Sequence, residues 1–356
     1  MLPIAPLLLA TAVAPDFATR LWNAVPTARG NVVISPTSVE ACLALLIPAV
    51  GPASQPPLAK TLGITVSAFP TFQQDLKKRL EALTAGPETT VSNAGFFAEE
   101  PRASYVAAIA KLYGATAERL QADPLKQVNG WVEKKTKGRI PKLFDRLNGG
   151  THAVLVNTVT FDGDWSLPFP KEATRKAPFG HRTVDMMHLA KAELFYGEAK
   201  AYRSVQLRYA GGRYLMTILL PNVGDPAALL NSSEWRTAPT TSRPVDLFLP
   251  KFTIRSSPDV QDALGKMGLA PLFNLIDLSP ALPSGGADQI SQIAHRTYVK
   301  VDEKGTKAAA ATGIVMTKAI RIPQPPVVFR VDRPFAFAIQ SVQSGEVLFQ
   351  GVIREP

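Results

Sequence analysis

Apolar residues fall at helical spacing through the first third of the chain and then gather into β-branched and aromatic runs. "DFATRLWNAV" sets Phe17, Leu21, Trp22 and Val25 on one helical face, with Asp16 in N-cap position. "SPTSVEACLALL" opens on Ser-Pro, a favoured helix start, and carries Val39, Leu43 and Leu46 on one face. "TFQQDLKKRLEAL" and "ASYVAAIAKLYG" predict two more helices, the second stopping at Gly114, and "TTVSNAGFF" between them reads as a strand. "QVNGWVEKKTKGRIPKLF" predicts a short amphipathic helix that ends near Gly138 and Pro141. After residue 150, "AVLVNTVTF", "YLMTILLP", "VDLFLPKFTI" and "PFAFAIQ" read as strands, interrupted by one helix, "DVQDALGKMG". There is no internal repeat and no long linker. The pattern predicts one large α+β body with a substantial sheet.

One stretch fits neither grammar. In "VDEKGTKAAAATGIV" four alanines, Ala308 to Ala311, lie between Thr306 and Thr312, with Gly305 and Gly313 outside them. Alanine favours helices over strands, yet four alanines are too few to hold an isolated helix. Alone, the tract reads as a flexible surface loop or a frayed helix.

Composition narrows the classes. A chain of 356 residues suggests about two domains as a prior. A hydrophobic fraction of 46% and a mean hydropathy of +0.05 supply a large core and argue against global disorder. The net charge of +10 is compatible with a polyanion partner, although a basic balance more often marks a solvated surface. A single cysteine, Cys42, excludes an intrachain disulfide, and its apolar run predicts a buried, inert thiol rather than a nucleophile. No run approaches the roughly 18 apolar residues of a membrane span. The N-terminal "MLPIAPLLLATAVAP" offers an Ala-x-Ala site at Ala10–Ala12 but lacks a positively charged start, so it reads as a weak export signal or as the first packed segment.

Catalytic patterns are missing. The chain has no G-x-S-x-G elbow, H-E-x-x-H or C-x-x-C pattern, phosphate loop or G-x-G-x-x-G turn. Four histidines, His152, His181, His188 and His295, could each pair with a serine, but so common a combination points to no triad.

Taken in order, several blocks resemble the serpin family. "NVVISPTSVEACLALL" is similar to the family's Ser-Pro-x-Ser helix start, and "VNGWVEKKTKGRI" to its helix lying across the main sheet. "VLVNTVTFDGDWSLPF" is similar to its asparagine-bearing strand and the glycine–tryptophan segment that follows. "VDLFLPKFTI", "ALGKMGLAPLF", "AHRTYVKVDEKGTKAAAATG", "RPFAFAI" and "EVLFQGVI" complete the order from about Asp16 to Val352. One block would be weak; the ordered set is specific. It replaces the two-domain prior with a single serpin domain over residues 1–356.

The resemblance implies an α+β serpin fold with three β-sheets, the main one five-stranded, and eight or nine helices. It also implies an exposed reactive-centre loop over about residues 303–325, beginning near Glu303. In that family a target protease cuts the loop, whose N-terminal part then inserts into the main sheet as a new strand; serpins are a known case of such strain-driven insertion. The tract suits this use. Strand side chains alternate, so Thr306, Ala308, Ala310 and Thr312 would face a packed core where bulky or charged groups stall the process. Lys307, Ala309, Ala311 and Gly313 would face the other way, and Gly305 supplies the hinge. Lys307 departs from the family's usual glutamate, and its outward position predicts little consequence.

By matched position, Ser35, Ser38, Asn157 and His295 correspond to polar groups that the family places beneath the centre of the main sheet. Trp165 corresponds to a tryptophan near the point where the loop first goes in. Plainer readings stand beside these: Ser35 as an N-cap, the other polar groups as caps or satisfied core residues, and Trp165 as a core aromatic. Counting from Glu303 with the family's loop length puts the bait bond at Ala319–Ile320, with Lys318 as a trypsin-directed alternative. Counting back from "RPF" puts it nearer Ile320 or Arg321.

The expectation is an irreversible suicide inhibitor of serine proteases: not an enzyme, a monomer, with no cofactor, no metal and no membrane contact. Its partner would be an elastase-, subtilisin- or trypsin-like protease. A rival keeps the fold for a non-inhibitory binding, carrier or chaperone-like protein, and a second rival is a hydrolase or nucleic-acid-binding protein. Lys77, Lys78 and Arg79 lie on a helix that some serpins use for glycosaminoglycans, which keeps a polyanion partner open beside the plainer solvated face. The resemblance favours the extracellular space, while the lack of a clear signal peptide keeps the cytoplasm open.

Overall fold

The structure, a computed structural model, describes residues 15–147, 152–284, 287–305 and 325–356. The first third is mainly helical, as its periodicity predicts. Asp16 caps α1 (Phe17–Ala24), its Oδ1 accepting the Thr19 amide at 2.9 Å. β1 (Val32–Ile34) leads into α2 (Pro36–Ala44), followed by α3 (Gln55–Leu62), α4 (Phe69–Thr84) and β2 (Thr89–Phe97). α5 (Ala103–Tyr113) stops at Gly114 in the left-handed conformation, φ 61°, and β3 (Thr116–Arg119) and α6 (Pro124–Lys135) follow.

Strands dominate thereafter: β4 (Ala153–Phe161), β5 (Arg175–Phe179), β6 (Arg182–Glu198), β7 (Tyr202–Arg208) and β8 (Tyr214–Pro221). β9 (Thr241–Pro250) and β10 (Phe252–Ser256) precede α7 (Val260–Leu264). The chain continues with β11 (Ile276–Asp277), β12 (Ala287–Asp288), β13 (Ile290–Val301), β14 (Val327–Arg330), β15 (Phe335–Ser341) and β16 (Val347–Ile353). Against the eight or nine helices expected, the described residues hold seven α-helices, with short 3₁₀ turns such as Pro226–Leu230 between elements.

Three sheets form. A nine-stranded sheet runs β1-β16-β15-β8-β7-β6-β9-β14, with β5 added on β6; the main sheet runs β10-β13-β4-β2-β3; β11 and β12 make a small pair. "VDLFLPKFTI", read as one strand, is two: at Lys251, whose amide donates to the Asp185 carbonyl at 2.8 Å, the chain leaves the nine-stranded sheet at β9 for the main sheet at β10. β13 and β4 are parallel neighbours at the centre of the main sheet, paired from Ile290↔Ala153 to Tyr298↔Thr160. This seam positions the site.

α2 was expected to bury one face, but all nine of its residues are buried. It packs against β4 and β16 and so runs between the two large sheets, where its polar residues Thr37, Ser38 and Glu40 are all bonded to partners inside the protein. Apolar residues collect in three bodies: one around the N-terminal helices, one between the large sheets, and a small one where Val128 and Val132 of α6 meet Val154 and Val156 of β4.

Candidate functional site

Four elements meet beneath the seam through polar side chains. β4 is buried along its whole length, so Asn157 in its middle must find partners inside the protein. Its Oδ1 accepts from Ser38 Oγ at 2.7 Å and lies 2.8 Å from His295 Nδ1 on β13. Its Nδ2 donates to the Ser38 carbonyl at 2.8 Å and to Asn93 Oδ1 on β2 at 2.6 Å. The Ser35 amide donates to His295 Nε2 at 3.0 Å, which assigns the ring proton to Nδ1 and makes His295 a donor to Asn157. Burial pushes the His295 pKa down to about 3, so the ring is neutral. Ser35 does occupy the N-cap position of α2, but its side chain makes no capping bond; its part in the cluster is played by the amide.

A second cluster forms where β13 outruns its partner. The pairing with β4 stops at Tyr298↔Thr160, while β13 continues to Val301 and then reverses in a tight turn. The Gly305 amide donates to the Asp302 carbonyl at 3.2 Å, and the Asp302 amide to the Gly305 carbonyl at 3.3 Å. Trp165 fastens this turn from the side: its amide donates to the Lys304 carbonyl at 2.9 Å and its Nε1 to the Asp302 carbonyl at 3.0 Å. The indole stacks on Tyr209 with ring centroids 4.4 Å apart, a contact worth about 0.5–1.5 kcal/mol beyond its buried area. Gly305 has φ +113°, and a Cβ there would meet the Gly163 carbonyl oxygen at 2.4 Å and the Trp165 nitrogen at 2.5 Å, so only glycine fits. The buried Glu303 carboxylate is held by Lys251 Nζ at 2.9 Å and Thr174 Oγ1 at 2.9 Å. Burial alone would raise the Glu303 pKa; the bonds from Lys251 and Thr174 outweigh it and lower it.

The structure thus gathers Ser35, Ser38, Asn157 and His295 in one cluster and Trp165, Glu303 and Gly305 in another. Thr306, Ala308 to Ala311, Thr312, Lys318, Ala319 and Ile320 lie outside the described residues. Sequence reasoning missed Asn93; the one signal for it is an amide set among the apolar residues of "TTVSNAGFF". Arg79, grouped with Lys77 and Lys78 as a solvated or polyanion-facing trio, turns inward instead and bridges Glu40 at 2.8 Å and Glu346 at 3.0 Å. Both ring nitrogens of His295 are engaged without a serine hydroxyl, which removes it as a base of a hydrolytic triad. Burial pushes the Cys42 thiol up to about 12, leaving it inert. Among the described residues no group of three or more potential ligands could hold a metal, and no helix is long and apolar enough to cross a membrane.

A parallel seam at the centre of a mixed sheet, a polar cluster beneath it and a glycine turn at its end make up the site. Residues 12–356 match the model of the Serpin (serine protease inhibitor) family, and the chain belongs to that family. The leukocyte elastase inhibitor of Equus caballus is 31% identical over 382 residues, covering 97% of this chain and 98% of its own. Serpin48 of the insect Tenebrio molitor, described as a highly specific serpin, has 28% identity and a TM-score of 0.81 over 96% of each chain. Human thyroxine-binding globulin, solved in complex with thyroxine, has 26% identity and a TM-score of 0.85, covering 96% of this chain and 97% of its own.

Proposed function

We propose that the whole chain acts as one serpin domain and inhibits serine proteases irreversibly, by inserting its cut loop between β13 and β4. The observation that carries this reading is the turn at Asp302–Gly305 beside the parallel seam. A chain leaving a tight hairpin runs antiparallel to β13, and a strand in that direction can pair with both parallel neighbours at once. Continuing the Asp302↔Gly305 register puts Thr306 opposite Val301, Ala308 opposite Val299, Ala310 opposite Thr297 and Thr312 opposite His295. Those four β13 residues are buried, and residues opposite one another in an antiparallel pair share a face. The small side chains would therefore be the ones that meet the core. The same register sets Lys307 opposite Lys300, a like-charge pair that disfavours insertion and gives Lys307 more consequence than its outward position suggests.

The seam also accounts for the polar cluster. The His295–Asn157 bond spans β13 and β4 and has to break as a strand goes in, after which Thr312 offers the pair a hydroxyl. β13 has 12 residues, so full insertion carries the scissile end about 40 Å along the sheet. With Ala319 as bait, the protease serine would form an ester on the Ala319 carbonyl, releasing the Ile320 amine. Dragging the acyl-enzyme against the far end of the sheet would distort its active site, and about 1 Å of misplacement already slows such chemistry by about 10²-fold. Elastase-, subtilisin- and trypsin-like proteases are the partners this bait region suits.

The thyroxine-bound relative favours a second reading, a carrier that keeps the fold without trapping proteases. Mixing the protein with elastase, trypsin and subtilisin and resolving the products on denaturing gels separates the two. The inhibitor reading predicts a covalent adduct with at least one protease; clean loop cleavage without adduct by all three would point to the carrier.

A further inference from the structure

The basic trio foreseen on α4 is largely neutralised: Lys77 lies 3.7 Å from Glu81, and Arg79 sits between two carboxylates. A denser run of cations lies elsewhere. Between residues 134 and 146, the end of α6 and the strap that follows carry Lys134, Lys135, Lys137, Arg139, Lys142 and Arg146, of which Lys142 pairs with Asp145 at 2.7 Å and Arg139 with Asp162. This strap is fastened across the seam. Arg139 reaches Asp162 and Thr160 Oγ1 beside β4, Arg255 of β10 donates to the Arg139 carbonyl at 3.4 Å, and Arg296 of β13 donates to the Lys142 carbonyl. Ile140 and Leu143 anchor it in the apolar body under α6. Arg255 and Arg296 thereby add their charge to the strap's. Lys134, Lys137 and Arg146 are exposed and enter no ion pair among the described residues.

We infer that this strap is a nucleic-acid-binding surface that takes the phosphate backbone of a duplex. A basic stripe on one face of a chain with pI near 9.7 is the electrostatic footprint of backbone binding, and guanidinium groups match phosphate geometry. Duplex is favoured over single strand because the aromatic rings here are already engaged: Lys135 Nζ lies 5.7 Å over the Trp131 ring, Arg255 Cζ lies 5.2 Å over Tyr298, and Phe144 packs half-buried against the apolar body under α6. Bases need open rings to stack on.

The test is fluorescence anisotropy of a labelled 20-base-pair duplex of mixed sequence with the full chain from 25 to 200 mM NaCl. About five neutralised phosphates predict a log–log salt slope of about −4.5. Lys137→Gln with Arg146→Gln should make the slope shallower by about 2 without moving the thermal midpoint. Lys77→Gln with Lys78→Gln should leave the slope unchanged. No binding at 25 mM NaCl overturns the inference. So does an equal loss from the α4 pair, tighter binding of the matching single strand, or binding of heparin while the duplex fails to bind.

Discussion

Asn157 uses both lone-pair directions of its oxygen and both hydrogens of its nitrogen on buried partners drawn from α2, β2 and β13. Asn157→Ala would leave Ser38, Asn93 and His295 unpaired, at about 1–3 kcal/mol for each stranded group, and the midpoint of urea unfolding should fall accordingly. His295 carries a pH signature. Its pKa is near 6.5 when unfolded and about 3 when folded, so the unfolded chain binds the extra proton between those values. The stability His295 contributes is full above pH 6.5 and is lost as pH falls toward 3, at up to about 1.4 kcal/mol per pH unit. Urea unfolding at pH 7, 6, 5 and 4 should show this slope, and His295→Gln should remove it; equal slopes in the two proteins would refute the assignment. The resemblance made His295 and Asn157 legible. Asn93 was not, because a polar residue in a strand ordinarily reads as the solvent-facing half of an alternation.

The Asp302–Gly305 turn ends β13, and its glycine lies flat against the backbone of residues 163–165. Gly305→Ala should lower the thermal midpoint of the uncut protein, since strain at such a position is worth about 1–3 kcal/mol and the Trp165–Lys304 bond would be displaced. Just beyond the turn, Thr306→Arg should convert the inhibitor into a substrate, because insertion would bury a charge opposite Val301; full adduct formation by that variant on a denaturing gel would refute the register. Helices α1, α2, α4, α5 and α6 and strands β2, β4, β8 and β15 were readable from their periodicity and stop signals. β6 was not: Lys191 adopts φ +49° and donates its amide to Asp246 Oδ1, so the register shifts between Leu189 and Ala192 and the alternation breaks. Nor was the division at Lys251, because the strand-like run continues through it without a stop signal and only the third dimension assigns β9 and β10 to different sheets.

At the scale of the molecule, the proposed insertion requires the described arrangement to be kinetically held: a parallel seam stands where an antiparallel strand from the same chain could pair on both sides. That gain would be withheld while the intervening chain stays joined at both ends, to the Asp302–Gly305 turn and to β14, which belongs to the other large sheet. Cutting the loop frees one end. The most direct measurement is the thermal unfolding midpoint before and after a single proteolytic cut within residues 306–324, followed by circular dichroism. The cut protein should melt far above the intact one and gain β signal; an unchanged or lower midpoint would refute loop insertion.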